Sequence, residues 1–187
     1  MFKLITSTRL LLVATAFTAA GCAMQPPPKE NLCADYDTRV RSLRTATPYT
    51  LAPNVEPGAK SASKKGTALR VTDFRVAPSL PTVQPCAVIT LNKELVLHAS
   101  RPASVQMIEV REFYAASGAL ITTRTDRLRG QFTAAGQYKG ETSVPIPPGA
   151  PPGKYRVLVR LTTDPVGNRK AIPLATAETA FVIQAAR

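Results

Sequence analysis

The most constraining feature of this sequence is an alternating run that follows a turn rich in proline and glycine. The turn at 147–154 contains four prolines and two glycines. After it, apolar residues occupy every second position, at Tyr155, Val157, Val159 and Leu161. Because successive side chains of a β-strand point to opposite faces, this period of two predicts a strand with one buried face.

Short segments of the same kind run from Leu69 to Gln184, with proline, glycine and asparagine between them. Seven or eight strands at intervals of roughly eight to fifteen residues are typical of an antiparallel β-sandwich. An up-and-down barrel is the alternative architecture. Near Asp73 the alternation changes parity, which predicts a bulge in the first strand. We therefore predict a mainly β domain at 68–185, with Tyr155, Val157, Val159 and Phe181 in its core.

The proline-glycine entry, the alternating strand and the turn at 164–168 together resemble the penultimate-strand region of immunoglobulin-like and fibronectin-like domains. In those domains a tyrosine near the start of that strand bonds back to the preceding corner, and Tyr155 is the matching position. The resemblance implies an antiparallel immunoglobulin-like β-sandwich. The chain has no tryptophan, so it lacks the Cys…Trp…Cys pattern of antibody domains.

One amphipathic helix is predicted at 30–47, ahead of the sandwich. Its apolar stripe recurs at spacings of four, four and three, through Leu32, Tyr36, Val40 and Leu43. We expect this stripe to pack against the sandwich. The alternative is a basic helix that lies on a membrane surface. Residues 48–67 carry proline, glycine, serine and lysine without periodicity, which predicts a linker.

The N-terminal segment has the features of an export signal. A basic start with Lys3 and Arg9 is followed by the apolar run LLLVATAF at 10–17 and then by the small residues and cysteine of Ala19-Ala20-Gly21-Cys22. The run is shorter than the ~20 residues that span a bilayer, and it suits a secretory signal. Residues 1–21 resemble a bacterial lipoprotein signal peptide with its lipobox. The resemblance implies cleavage between Gly21 and Cys22, diacylglycerol on the Cys22 sulfur and an acylated N-terminus. The alternative is an ordinary signal peptide with an incidental cysteine.

The residues after the lipobox predict where the protein is anchored. Residues 22–29 contain Pro26-Pro27-Pro28, which favours an extended polyproline tether. In the lipoproteins that the segment resembles, an aspartate directly after the cysteine often retains the protein at the inner membrane. Ala23 stands there instead. The resemblance therefore implies anchoring at the outer membrane, on its periplasmic face.

Two further cysteines, Cys33 and Cys86, form an even pair in an exported chain. Oxidising compartments favour disulfides, and a bond between them would close a loop of about fifty residues. The alternative is two buried free thiols. A metal site is disfavoured, because His98 is the only histidine and there is no Cys-x-x-Cys pair. We predict no metal and no cofactor.

The charge of the chain favours anionic partners. Loss of Lys3 and Arg9 with the signal lowers the formal net charge from +12 to +10. A lipidated envelope protein rarely meets nucleic acid, so we expect none as a partner. Anionic lipid, polysaccharide, cell wall or an acidic envelope protein are the expected partners. The sequence leaves the oligomeric state open.

No catalytic motif is present in the sequence. There is no Gly-x-Ser-x-Gly, no phosphate-binding loop and no dinucleotide-binding turn. The 12 carboxylates are scattered, so we predict that the protein is not an enzyme, although a site assembled from distant residues remains the third class of function. The leading hypothesis is a membrane-anchored interaction module. The second is a carrier or binding module for a lipid, glycan or other anionic envelope component.

Overall fold

The computed structural model describes residues 33–43, 48–52, 69–99, 101, 106–164 and 170–185. In these ranges it contains one helix and nine strands, which in chain order are α1 (Tyr36–Ser42), β1 (Tyr49–Leu51), β2 (Arg70–Pro78), β3 (Thr82–Val83), β4 (Val88–His98), β5 (Met107–Tyr114), β6 (Leu120–Arg127), β7 (Gly136–Pro145), β8 (Gly153–Thr163) and β9 (Pro173–Ile183). None of the helices described is long and apolar enough to cross a bilayer.

The strands form two sheets that pack face to face as an immunoglobulin-like β-sandwich. One sheet has the order β1-β7-β4-β2 and the other β3-β9-β8-β5-β6. The pairs are antiparallel except for β3, which lies parallel to β9 over two residues. The predicted fold class is therefore confirmed. The predicted bulge is present as well, because the register of β2 with β4 shifts between Thr72 and Arg75.

The core follows the period-two patterns of the sequence. Val157 and Val159 are fully buried, and Tyr155 and Phe181 are 8% and 3% exposed. The buried side chains form two clusters. One lies around Leu95 and Tyr138, and the other contains Leu91 and the four predicted residues of β8 and β9. All four predicted core residues are confirmed.

Two tyrosines form hydrogen bonds to the turns that precede their strands. The Tyr155 hydroxyl donates a hydrogen bond to the carbonyl of Pro151 at 2.8 Å, as the resemblance implied. Tyr138 does the same at the start of β7, where its hydroxyl donates to the Ala134 carbonyl at 2.8 Å. The sequence did not single out this second corner. Gly153 completes the first corner, because its φ is +148° and an added Cβ would meet the Ala116 Cβ at 2.7 Å.

The helix is shorter than predicted, because α1 ends at Ser42, where the following backbone at Leu43 is extended. Its predicted stripe is partly buried: Tyr36, Val40 and Leu43 have intermediate exposure, whereas four other residues of the helix are exposed and none is fully buried. The helix is held by the Cys33–Cys86 disulfide and by Arg39, whose guanidinium donates to the Cys86 carbonyl at 3.0 Å. Leu32, Asn31 and residues 44–47 lie outside the described residues.

The predicted linker at 48–67 is also corrected at its start. Residues Tyr49–Leu51 form β1, which pairs with β7 at the edge of the four-stranded sheet. Tyr49 is 4% exposed and belongs to the core cluster around Leu95. The sequence does not predict this strand, because three residues are too few to show a period of two. Residues 53–68 lie outside the described part of the chain.

The disulfide generates a prediction for stability. It joins residues 53 apart, and closing such a loop stabilises a fold by about 4 kcal/mol through the entropy of the unfolded chain. We expect Cys33→Ser to lower the free energy of unfolding by up to this amount in denaturant titrations. Reductant should destabilise the native protein similarly and leave Cys33→Ser unaffected. Thiol labelling at positions 33 and 86 without reductant would contradict the bond.

Candidate functional site

The residues singled out from the sequence do not form one site. Cys22 and Gly21 lie outside the described residues. Cys33 and Cys86 attach the helix to the turn between β3 and β4, while Tyr155 closes a corner. His98 lies partly exposed near the end of β4, with its Nε2 3.1 Å from the Thr72 hydroxyl. These contacts hold the fold together, and the structure places a different set of polar residues in the interior.

A buried ion pair joins the two sheets through the core. Lys93 of β4 and Glu109 of β5 have fully buried side chains, and the Lys93 Nζ lies 2.5 Å from the Glu109 Oε1. The Lys93 Nζ also contacts the Thr142 hydroxyl at 2.7 Å. The Tyr49 hydroxyl donates to the Glu109 Oε2 at 2.6 Å. Strands β1 and β4 of one sheet therefore converge on a single carboxylate of the other sheet, and β7 supports the Lys93 ammonium through Thr142.

The ion pair continues outward to the edge strand β6. The Arg111 Nε lies 3.4 Å from the Glu109 Oε1, and the Arg111 guanidinium binds the Asp126 carboxylate of β6. Charges of alternating sign therefore run from Lys93 in the interior to Asp126, whose side chain is 24% exposed. Each charge faces an opposite one, which offsets part of the large cost of burying ions.

Burial shifts the pKa values of two members of this network. Loss of solvent lowers the pKa of Lys93 to about 8, although the neighbouring Glu109 charge opposes that shift. Burial, followed by the charge of Glu109, raises the pKa of Tyr49 well above its ordinary value of 10. Because the Lys93 and Glu109 side chains are closed to solvent, a change in their ionisation alters the stability of the fold.

Strand β6 is the most exposed strand of the domain. It ends the five-stranded sheet and, among the described strands, pairs only with β5. Seven of its eight residues are exposed, and Leu120 and Ile121 each expose 55% of their surface. We call the side of β6 that faces away from β5 the open edge.

The hydrogen-bond ladder with β5 determines which backbone groups of β6 point to the open edge. The Leu128 N–H donates to the Met107 carbonyl at 2.9 Å, in line with the register that pairs Ile108 with Arg127. Opposite pairs in an antiparallel ladder alternate between bonded and non-bonded. The N–H and C=O groups of Thr123, Thr125 and Arg127 therefore point away from β5, toward the open edge.

The exposed charge of this edge is positive. Arg124 is exposed and has no ion pair within the described residues. Arg127 and Arg129 are 66% and 58% exposed and share Asp164, whose side chain is 2% exposed. On the neighbouring strand, Glu112 is bound by Arg160 and accepts a hydrogen bond from the Tyr114 hydroxyl. The nearby carboxylates are therefore engaged, while the arginines reach solvent.

The sequence contains one signal for the buried network. Lys93 shares its parity with Leu91 and Leu95, which predicts a buried position for its side chain. Glu109 lies two residues from Met107, on the same buried face. Two charged residues of opposite sign on buried faces of different strands indicate an internal ion pair, although the sequence does not show that these strands face each other.

Comparisons with known proteins do not assign a function. No family model and no curated protein matches the sequence. The C-terminal domain of Wzt is similar at 8% identity and a TM-score of 0.45, over 65% of this chain and 75% of that one. A CARDB domain from Pyrococcus furiosus, in complex with di-metal ions, is similar at 12% identity and a TM-score of 0.37, over 63% and 88%.

A third similar structure is the alkylpurine DNA glycosylase AlkC of Pseudomonas fluorescens, bound to DNA with an abasic site analogue. The identity is 15% and the TM-score 0.42, over 64% of this chain and 31% of that chain. The chain thus spans less than a third of the glycosylase. Within the described ranges of our protein, no three His, Cys, Asp or Glu residues are grouped to hold a metal ion.

The buried lysine makes stability depend on pH. Its folded-state pKa of about 8 lies below the ordinary 10.5, so between these values the unfolded chain binds more protons and stability rises with pH. We expect the native protein to gain about 2–3 kcal/mol relative to Lys93→Met between pH 7 and pH 10. Denaturant titrations across this range measure the difference.

The control for this measurement is Lys154→Met, which replaces an exposed lysine of β8. It shares the loss of one lysine but leaves the interior unchanged. An equal pH-dependent change in both variants would show that the buried environment of Lys93 is not its cause.

Proposed function

We propose that this protein is a membrane-anchored envelope lipoprotein that acts as a non-catalytic interaction module. The observation that carries the interaction role is the open edge of β6, with exposed side chains on both faces and backbone groups directed outward. Such an edge is a template for pairing with another chain. The segment that ends in Ala19-Ala20-Gly21-Cys22 supports the lipid anchor.

Two further properties support an exported adaptor. The Cys33–Cys86 disulfide suits an oxidising compartment. It also shortens the tether, because only about eleven residues separate Cys22 from the fixed Cys33. A segment of that length spans at most ~40 Å when fully extended, so the domain works close to the membrane. With Ala23 after the lipidated cysteine, the proposed site of action is the periplasmic face of the outer membrane.

A short tether and a basic surface together define the kind of contact that the module makes. Membrane attachment raises the effective concentration of any partner in the same membrane, so a weak contact suffices. A mature chain with a formal net charge near +10 attracts anionic partners, and salt screens that attraction over about 10 Å at 0.1 M. The proposed contact is therefore short-range and weakened by salt.

The anchor is tested by replacing the modified cysteine. In a host with two membranes, we expect the mature protein to begin at residue 22, to carry acyl mass there and to fractionate with the outer membrane. Cys22→Ser should leave the precursor unprocessed or release the chain from the membrane. Mass spectrometry of the intact protein and membrane fractionation measure both outcomes.

A matched variant separates anchoring from sorting. Ala23→Asp should keep the lipid but move the protein to the inner-membrane fraction, as the lipobox resemblance implies. A soluble native product that begins downstream of Cys22 would refute the lipoprotein assignment.

A further inference from the structure

We propose that the open edge of β6 binds an acidic, extended segment of another protein, which adds to the five-stranded sheet as a new strand. The proposal rests on the interaction role proposed above and names the surface and the chemistry of the partner. In β-strand addition, backbone hydrogen bonds supply affinity and side chains supply specificity.

The backbone of β6 is suited to receive a strand. The N–H and C=O groups of Thr123, Thr125 and Arg127 point to the open edge, as the ladder with β5 requires. These three residues lie at every second position. Outward backbone groups recur at the same interval in a partner strand, whether it is antiparallel or parallel. β6 contains no proline, so no donor is missing from the series.

The side chains of β6 allow a strand to approach. Thr123 and Thr125 share the outer face with Val110 and Glu112, which lie opposite them in β5. Threonine is short and favours the extended conformation. The partner's own side chains would therefore lie beside small hydroxyl groups on the outer face and beside Arg124 on the other.

The buried network holds β6 in place before a partner binds. Asp126 is bound by Arg111, which in turn contacts the buried Glu109. A strand that is already fixed loses little conformational freedom on binding, and preorganisation of this kind raises affinity. The interior ion pair is thus connected to the edge strand through Arg111 and Asp126.

The charge at the edge favours an acidic partner over a second copy of this chain. Arg124, Arg127 and Arg129 are exposed, whereas Asp164 is almost fully buried and Asp126 is mostly buried. Pairing two β6 strands would bring two such arginine sets together in a chain whose formal net charge is already +12 before processing. Like charges across a ladder are unfavourable, while carboxylates opposite the arginines are favourable.

The test uses the purified mature protein with its disulfide intact and three capped synthetic peptides. The first alternates glutamate and valine over ten residues, the second has lysine in place of each glutamate, and the third has proline at alternate valines. We expect the acidic peptide to bind most tightly at low salt and to protect the Thr123, Thr125 and Arg127 amides from hydrogen exchange at least tenfold. The lysine and proline peptides should bind at least tenfold more weakly.

Substitutions on the protein locate the site. Thr125→Pro removes an N–H of the open edge but no bond to β5, and should weaken binding about tenfold. Thr125→Val keeps the N–H and the branched shape, so its affinity should stay within about twofold. Arg124→Glu changes no backbone group and should also weaken binding of the acidic peptide severalfold, which provides a test that does not depend on tolerance of proline.

Two results would overturn the proposal. One is binding that survives Thr125→Pro and Arg124→Glu, or that protects another edge of the sandwich. The other is concentration-dependent dimerisation that Thr125→Pro abolishes, which would show that a second copy occupies the edge.

Photo-crosslinking in cells separates this proposal from the proposed function. A photoreactive residue at Thr123 should give an adduct that Thr125→Pro removes, and one at Asn92, exposed on the other sheet, should not give this adduct. Adducts from Asn92 but not from Thr123 would overturn the edge proposal and leave the interaction role standing. Absence of adducts from both positions, together with an unlipidated Cys22, would overturn both.

Discussion

The buried pair of Lys93 and Glu109 is the contact on which the described part of this protein depends. At this point a lysine of the four-stranded sheet and a glutamate of the five-stranded sheet form an ion pair in the core. Tyr49 brings β1 to the same carboxylate, and Arg111 extends the contact to β6. A buried ion pair adds little net stability compared with apolar residues of similar size, but loss of one partner leaves an uncompensated charge. We infer that the pair contributes to the choice of which strands face each other more than to net stability.

This arrangement divides the core into two apolar regions. Along β4, Lys93 lies between Leu91 of one cluster and Leu95 of the other. Apolar packing is non-directional and tolerates a shift in register, whereas a charge-assisted hydrogen bond requires a defined geometry. We infer that the two clusters supply most of the stability and that the polar layer between them sets the alignment of the sheets. Tyr138 and Tyr155 then lock the corners on either side.

The proposed function combines an N-terminal anchor with the edge strand β6, which lies in the middle of the chain. The lipid on Cys22 and the disulfide at Cys33 would keep the domain near the membrane, and the exposed edge of β6 would face the partner. The network from Lys93 to Asp126 stiffens that edge from inside the sandwich. A weak, charge-dependent contact is sufficient for a protein whose partner shares its membrane.

The sequence by itself determined the class of fold, the positions of most strands, the bulge near Asp73 and the pairing of Cys33 with Cys86. These features are local or follow from parity: the period of two marks a buried face, and the two cysteines that follow the predicted lipidation site can form one bond. The resemblance to immunoglobulin-like domains implied the corner hydrogen bond of Tyr155, whose acceptor lies four residues away.

Only the tertiary structure decided the rest. Tyr49 became part of the core through β1, which is too short to show a pattern. The helix stripe is only partly buried, and the Cys33–Cys86 disulfide and Arg39 hold α1 to the sandwich. Lys93, Glu109 and Arg111 form one network although β4 and β5 belong to different sheets. The open edge of β6 likewise depends on which strands come last in a sheet. Sequence period reports which face of a strand is buried, but which strands lie opposite one another, or at an edge, is set by long-range packing.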